Sequence, residues 1–224
     1  MRINGKHRLS RPVQRIGLLG GSFNPAHSGH RAISLFALKA LDLDEVWWLV
    51  SPGNPLKSGR DDMAPLAARH GSACRQTRRA RIRPTVIEQQ FGTRYTVDTL
   101  TALIRRYPKY RFIWLMGDDN FAQFHLWRNW RRITKIVPVA VIARPRYMRG
   151  ARWSPAAHWL RRFVHPAGQA KQWTKWSTPA LVPLRFRPDP TSATQLRRVN
   201  PDWHLFPHPS VLRDNLTHRT IFEA

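Results

Sequence analysis

Two hydrophobic periods alternate along the first fifty residues. Apolar runs at residues 16–19 and 46–50, the second within an expected strand at 45–51, have the length and composition of buried β-strands. Between them, residues 28–41 carry apolar side chains at helical spacing on one face, and Ser28 is a candidate for the residue that caps this helix. The first run ends at two glycines, which predicts a tight turn. Strand, turn, helix and strand in this order predict a βαβ unit with parallel strands.

The alternation of strands and helices continues through most of the chain. We expect further strands at residues 81–88, 111–116, 136–143 and 180–186, and helices at 61–76, 96–107, 118–133, 155–163 and 191–198. The helix at 118–133 is expected to be broken, and Thr191 is the expected cap of the last helix. This pattern predicts the α/β class, with a Rossmann-like, doubly wound parallel sheet.

The carboxyl ends of the strands indicate where a ligand binds. In doubly wound sheets, ligands occupy the crevice beyond these ends. Gly20, Pro52, Gly117 and Arg144 each follow an expected strand. We therefore expect these residues to converge on one crevice.

The length of 224 residues favours a single domain. We expect this domain to span residues 15–198, after a flexible basic arm at 1–14 and before an irregular C-terminal tail at 199–224. The sequence has no internal repeat or heptad pattern, and it predicts no particular oligomeric state.

Composition excludes several classes of protein. No apolar run approaches the ~20 residues that cross a bilayer, and the N-terminus has no secretory apolar region, so we expect neither a membrane protein nor a signal peptide. Cys74 is the only cysteine, which excludes an intramolecular disulfide and a metal site built on several thiolates. A single thiol fits a reducing compartment, so we expect a cytoplasmic protein.

The charge is strongly unbalanced. Lys and Arg total 38 against 13 Asp and Glu, a formal net charge of +25. Such a field attracts phosphorylated small molecules or nucleic acid. An arginine-rich proteome would produce the same excess without any function, so the charge leaves these alternatives open.

The sharpest chemical signal lies at residues 20–30, GGSFNPAHSGH. Gly20 and Gly21 let the backbone approach a phosphate closely, and the N–H groups at the start of the following helix favour anions. His27 and His30 are three residues apart at that helix start, so their rings can share a face. Two imidazoles beside such a nest suit a transfer in which charge develops on phosphoryl oxygens.

Other motif classes fit less well. The segment is neither GxxxxGK[ST] nor GxGxxG, which disfavours P-loop chemistry and hydride transfer with a dinucleotide. A zinc site on the two histidines is disfavoured because no carboxylate or thiol follows at a zinc-site spacing.

Several single residues have both a structural and a functional interpretation. Lys57 is either a solvated lysine or a mobile charge for a phosphate, and Trp127 either fills the core or stacks on a pyridine ring. Asp98 complements a helix dipole or belongs to a nucleotide site. Ser192 and Thr194, with Arg197 one turn later, form either an ordinary cap or a second anion site.

The segment at 20–30 resembles the signature of the HxGH nucleotidyltransferases. Five further segments resemble, in order, those of bacterial nicotinate-nucleotide adenylyltransferases: YTVDTL at 95–100, MGDDNF at 116–121, FHLW at 124–127, ARP at 143–145 and TSATQLR at 191–197. The resemblance covers about residues 14–146 and then 188–198. It implies a nucleotidyltransferase-type sheet and adenylyl transfer from ATP to nicotinate mononucleotide, which gives deamido-NAD and pyrophosphate in NAD biosynthesis.

The resemblance also implies roles for individual residues. His30 is expected at the α-phosphate of ATP, His27 beside the β- and γ-phosphates, and Lys57 at a phosphate. Further contacts to ATP are expected from Gly20, Gly21, Ser22, Phe23, Gly117, Asp119, Arg144, Ser192, Thr194 and Arg197.

The mononucleotide is expected at Thr96, Asp98 and Trp127, with backbone N–H groups near Thr96 and Trp127 binding the nicotinate carboxylate. Mg²⁺ is expected to bridge the phosphates of ATP with no dedicated protein ligands, because this ion keeps waters and uses substrate oxygens.

The sequence departs from the family pattern at three positions. Leu56 stands where the family often has histidine, Asn24 where the superfamily usually has aspartate, and Arg146 where glycine is common. Two alternatives stay open. One is a nucleotidyltransferase acting on nicotinamide mononucleotide or another phosphate ester. The other is a protein that binds RNA through its basic arm and residues 146–190, although nucleic acid is expected only as a non-specific polyanion contact.

Overall fold

The computed structural model describes residues 13–53, 63–143, 154–186, 192–205 and 212–221. Within these ranges one parallel sheet has the strand order β3-β2-β1-β4-β5-β6. Its strands are β1 Gln14–Gly21, β2 Glu45–Val50, β3 Ile82–Thr85, β4 Tyr110–Gly117, β5 Val139–Ala143 and β6 Leu181–Arg185. The order reverses between β1 and β4, which confirms the doubly wound topology predicted from the sequence.

Helices cover both faces of this sheet. They are α1 Ser28–Ala40, α2 Leu66–Gln76, α3 Ile87–Phe91, α4 Thr96–Arg106, α5 Asp118–Ala122, α6 Trp130–Ile136, α7 Pro155–Leu160 and α8 Ala193–Val199, with 3-10 helices at Phe124–Leu126, Arg161–Phe163 and Ala167–Lys175. One hydrophobic core lies between the sheet and α1, α2 and the last 3-10 helix. A second core lies on the other face, under α3 to α7.

Strand β2 shows why the strands read as unbroken apolar runs. Its residues Val46, Trp48 and Val50 belong to the core under α1 and α2, whereas Trp47 and Leu49 belong to the opposite core. None of the five is more than 1% exposed. A strand covered on both faces buries every side chain, so polar residues do not alternate with apolar ones.

Two strands are shorter than the sequence predicts. The strand expected at 136–143 begins only at Val139, because Pro138 keeps the residue before it in extended backbone and ends α6 there. The strand expected at 81–88 stops at Thr85, whose hydroxyl accepts a hydrogen bond from the backbone N–H two residues later, where α3 begins.

The C-terminal tail contains regular structure within the part that the structure describes. Strands β7 Leu212–Arg213 and β8 Thr220–Ile221 pair antiparallel, where an irregular segment was expected. The side chain of Asp214 joins this pair to the end of β3. In the described ranges, no helix has both the length and the apolar character that crossing a bilayer requires.

Candidate active site

The two histidines of the glycine-rich segment lie side by side at the start of α1. Their ring centroids are 3.8 Å apart. His27 is the N-cap, because its Nδ1 accepts a hydrogen bond from the backbone N–H of Gly29. His30 completes a capping box, since its own Nδ1 accepts from the backbone N–H of His27. The prediction of Ser28 as the cap is therefore wrong; Ser28 is the first residue of the helix.

These hydrogen bonds determine which nitrogen of each neutral ring carries the proton. A ring nitrogen that accepts a hydrogen bond is unprotonated, so in the neutral rings of His27 and His30 the proton is on Nε2. Each ring then offers an Nε2–H donor. The helix cap thus uses Nδ1 of both histidines as acceptors.

Aromatic packing holds His30 in place. The Phe23 ring lies 4.9 Å from the His30 ring and stacks on Trp48 at 4.9 Å. Phe23 has φ of 48°, in the left-handed region that costs a non-glycine residue about 1–2 kcal/mol. Its side chain is 1% exposed, so packing compensates for this backbone conformation.

Side chains approach two glycines of the site closely. A Cβ at Gly20 would lie 2.7 Å from the Trp114 ring, which is rigid and buried. A Cβ at Gly117 would meet a carboxylate oxygen of Asp119, whose exposed side chain could turn away. The sequence suggested that Gly20 makes room for a phosphate; packing against Trp114 already requires a glycine there.

Trp127 lies at the corner between the 3-10 helix Phe124–Leu126 and α6. It is half-buried, with its ring 6.1 Å from Trp114 and 5.4 Å from Phe124, nearly perpendicular to both. One side of the ring system therefore packs on the core, while the residue keeps an accessible part.

The start of α4 lies near this corner. Thr96 and Asp98 are in the first turn of α4, where Thr96 is half-buried and Asp98 is exposed. The guanidinium of Arg128 lies 4.4 Å over the ring of Tyr95, the N-cap of α4. Arg128 follows Trp127 and Tyr95 precedes Thr96, so this contact places the residues expected to bind the mononucleotide in one region.

Helix α8 lies against the glycine-rich segment, 173 residues away in sequence. Arg197 Nη1 donates a hydrogen bond of 2.6 Å to the backbone oxygen of Asn24. Ser192 caps α8 by accepting from the backbone N–H of Gln195, so the prediction of Thr191 as the cap is wrong. Thr194 is exposed in the first turn.

Three of the predicted positions, Lys57, Arg144 and Thr191, lie outside the described residues. In the part of the chain that is described, no three His, Cys, Asp or Glu side chains come together as a group able to hold a metal ion.

The chain resembles known proteins over most of its length. The sequence pattern of the cytidylyltransferase-like family matches residues 18–199. A protein of Erythrobacter litoralis named probable nicotinate-nucleotide adenylyltransferase is 59% identical over 93% of this chain and 94% of the relative. A Bradyrhizobium protein of the same name is 47% identical over 86% of this chain and 100% of the relative.

The chain belongs to the nicotinate-nucleotide adenylyltransferases of the cytidylyltransferase-like family. The resemblance inferred from the sequence is thereby confirmed.

Solved structures confirm the fold of this family member. Plasmodium falciparum nicotinic acid mononucleotide adenylyltransferase complexed with NaAD has a TM-score of 0.61, with 16% identity over 83% of each chain. A putative nicotinate-nucleotide adenylyltransferase from Vibrio parahaemolyticus has a TM-score of 0.50 and covers 87% of this chain.

Two buried charged residues of this adenylyltransferase family member escaped the sequence analysis. Arg69 in α2 is 1% exposed and Glu88 in α3 is 8% exposed. Neither lies in the glycine-rich segment or in the five segments that resemble the adenylyltransferases. The available signals were an arginine on the apolar side of an amphipathic helix and an acid at the end of the strand expected at 81–88.

Glu88 connects three segments around the site. Thr99 of α4 donates to its Oε1 at 3.2 Å, and the Ser51 hydroxyl at the end of β2 also bonds to it. Burial raises the pKa of Glu88 from its ordinary 4.5 to about 7, although both hydroxyl contacts act in the opposite direction.

We expect Glu88 to make stability depend on pH. Its pKa is higher in the folded state, so its contribution to stability is complete below about pH 4.5 and is lost as the pH rises to about 7. Glu88→Gln removes this titration. The difference in free energy of unfolding between the variant and wild type should therefore shift in favour of the variant by up to about 3 kcal/mol as the pH rises from 4.5 to 8.

Urea unfolding at several pH values measures this difference. Glu45→Gln is the matched control, because Glu45 pairs with Arg83 at 2.7 Å near the surface, where such pairs contribute about 1 kcal/mol or less. A Glu88→Gln difference that stays constant across this pH range would show that Glu88 has the same pKa in the folded and unfolded protein.

Proposed function

We propose that this protein transfers the adenylyl group of ATP to nicotinate mononucleotide, giving deamido-NAD and pyrophosphate in NAD biosynthesis. The observation that carries the proposal is the paired His27 and His30 at the topological switch between β1 and β4. Both rings offer Nε2–H donors beside the glycine turn. Membership of the adenylyltransferase family supports the choice of substrates.

The reaction needs no covalent enzyme intermediate. A phosphate oxygen of the mononucleotide attacks the α-phosphorus of ATP, the bond from that phosphorus to the bridging oxygen of the β-phosphate breaks, and pyrophosphate leaves with the electron pair. The nucleophile is already an anion, so the protein supplies positioning and charge stabilisation. We assign His30 to the α-phosphate and His27 to the β- and γ-phosphates.

The remaining ATP contacts surround this pair. The N–H groups of the turn from Gly20 through Gly21 and Ser22 to Phe23 suit phosphate oxygens. Ser192 and Thr194 at the start of α8, and Lys57, are proposed to hold the triphosphate. Gly117, Asp119 and Arg144 are proposed for the adenosine side, because Gly117 ends β4, Asp119 comes just after it, and Arg144 follows β5 in sequence. Arg197 contributes here through its hydrogen bond to Asn24 as well as through its charge.

We propose that magnesium enters the site bound to ATP. Mg²⁺ keeps several waters and binds phosphate oxygens, so it needs few protein ligands. This fits a site whose described residues include no cluster of acidic ligands. We also propose a cytoplasmic location, since the chain has a single cysteine.

Mass spectrometry of the products from ATP, Mg²⁺ and nicotinate mononucleotide tests the function. Deamido-NAD and pyrophosphate in equal amounts are expected. The same assay with nicotinamide mononucleotide should give a lower kcat/KM, because the amide lacks the carboxylate charge that the backbone N–H groups near Thr96 are proposed to bind. A higher kcat/KM with the amide would reassign the substrate.

We expect Trp127→Ala to act mainly on binding of the mononucleotide. Loss of a ring stack worth about 1–3 kcal/mol should raise KM for nicotinate mononucleotide roughly tenfold or more. The value of kcat should change less, because the stack is present before and during the transfer. Steady-state kinetics with ATP saturating measures both parameters.

Trp176→Ala is the matched control for this change. Trp176 is also half-buried, but it packs at the core on the other face of the sheet and stacks on His165. Its loss should leave KM within about twofold of wild type. An unchanged KM in Trp127→Ala would make Trp127 a core residue only.

A further inference from the structure

Arg69 is a buried cation that the proposed mechanism does not use. It lies in α2 with 1% of its surface exposed. Its Nε donates to the backbone oxygen of Ala64 at 2.8 Å, and its Nη1 donates to those of Ser22 at 2.8 Å and Ser51 at 2.6 Å. A longer contact of 3.4 Å joins Nη2 to Pro52. One guanidinium thus binds the glycine turn, the end of β2 and the approach to α2.

The bond to Ser22 determines how the next peptide N–H points. In a planar trans peptide, the C=O and the N–H point in opposite directions. Because the Ser22 oxygen is turned toward Arg69, the Phe23 N–H is turned away from α2. This N–H belongs to the turn proposed to bind phosphate oxygens.

Arginines hold the peptide before Phe23 and the peptide after Asn24. Arg69 holds the Ser22 oxygen, and Arg197 holds the Asn24 oxygen at 2.6 Å. Between them Phe23 keeps its φ of 48° and places its ring against His30. A free chain rarely adopts this conformation, so its flanking hydrogen bonds matter for keeping it.

A second route runs from α2 to the histidines through the backbone of residue 69, so substitution of the Arg69 side chain leaves it in place. The backbone oxygen of Arg69 accepts from the Ser72 hydroxyl, and that hydroxyl oxygen accepts from the N–H of Ala26, next to His27. Both routes run from α2 to the segment 22–27. The guanidinium of Arg69 is buried, so it acts on this segment and not directly on a ligand.

We propose that Arg69 is a positioning residue for adenylyl transfer: it orients the Ser22–Phe23 peptide and thereby sets the Phe23 N–H and the His30 ring against the phosphates of ATP. This inference rests on the proposed function. It predicts that loss of Arg69 acts on kcat and on ATP affinity, and leaves KM for nicotinate mononucleotide nearly unchanged.

Arg69→Lys is the first variant, since it keeps a cation but cannot reach all the carbonyls. We expect kcat to fall about 10- to 100-fold, the scale for misplacing reacting groups by less than an ångström or so. KM for nicotinate mononucleotide should stay within about threefold of wild type. Arg81→Lys is the matched control, because Arg81 Nη1 donates to the oxygens of Leu43 and Asp44 near the amino end of β2. Its kcat should stay within about twofold of wild type.

Two further measurements separate positioning from general destabilisation. Guanidinium ion at low millimolar concentration should restore activity to Arg69→Ala and leave the activity of Arg81→Ala unchanged. A cycle with His30→Gln should be non-additive, because Arg69 is expected to act partly through His30. If circular dichroism shows that Arg69→Ala is unfolded, the kinetics of Arg69→Lys test the inference without it.

The inference is overturned if kcat of folded Arg69→Lys stays within about twofold of wild type. It is also overturned if the double variant with His30→Gln shows the full product of the two single reductions in kcat. Should the wild type make no deamido-NAD, the proposed function fails by itself. Calorimetric titration with ATP then tests Arg69 separately, with at least about tenfold weaker binding by Arg69→Lys expected and unchanged binding contradicting it.

Discussion

Replacing His30 by alanine is expected to lower kcat about 10²- to 10³-fold, the scale for loss of one donor to a developing oxyanion. The Nε2–H of His30 is proposed to donate to the α-phosphate more strongly in the transition state than in bound ATP. Its loss should therefore affect kcat more than KM. Steady-state kinetics of deamido-NAD formation measures both.

His30 also caps a helix, so alanine removes two functions at once. The loss of the cap alone should cost about 1 kcal/mol of stability. His30→Gln separates the two effects, because glutamine at this position of a capping box can accept from the N–H of His27. We expect His30→Gln to keep nearly the wild-type free energy of unfolding and to lose activity as alanine does.

His158→Ala is the control for loss of a histidine outside the site. His158 is exposed in α7 and takes no part in the site, so its loss should leave kcat unchanged. If His30→Gln retained kcat within about threefold of wild type, the imidazole would not be the donor that the mechanism requires.

Asp214→Ala is expected to reduce the free energy of unfolding by about 3–5 kcal/mol, a large single-residue effect caused by loss of several buried hydrogen bonds to one carboxylate. Asp214 is 0% exposed. Its Oδ2 accepts from the Thr85 hydroxyl and the Val86 N–H, both at 2.7 Å. Its Oδ1 accepts from Leu216 and Thr217 in the turn between β7 and β8. The alanine variant leaves these donors without their acceptor.

Urea unfolding near pH 7 measures the loss, with Asp42→Asn as control. Asp42 pairs with Arg15 at the surface, its side chain is 56% exposed, and asparagine tolerates its positive φ. The control should cost about 1 kcal/mol or less. A similarly small loss in Asp214→Ala would mean that the tail docks on β3 without this carboxylate.

The contrast between His27 and Ser28 shows where local sequence rules reach their limit. Serine is a better N-cap than histidine by propensity, so the sequence favours Ser28. In the structure, the buried ring of His27 takes that position, and His30 closes the box from the helix side. Packing of the two rings against one another, and of His30 against Phe23, outweighs the local preference.

The amino-acid sequence by itself determined the class of the sheet, most elements and the chemistry at residues 20–30. These are local properties: apolar periodicity reports which backbone is buried, and a short motif carries its own donors. The resemblance to the adenylyltransferases also followed from ordered segments of the chain, and the comparisons confirm it.

Only the tertiary structure decided which distant groups hold that motif. Arg69 reaches Ser22 across 47 residues, Arg197 reaches Asn24 across 173, and Asp214 reaches Thr85 across 129. Each contact joins a side chain to a group exposed by the path of another segment. No periodicity or spacing encodes such a meeting, because it depends on how the helices and the tail pack around the finished sheet.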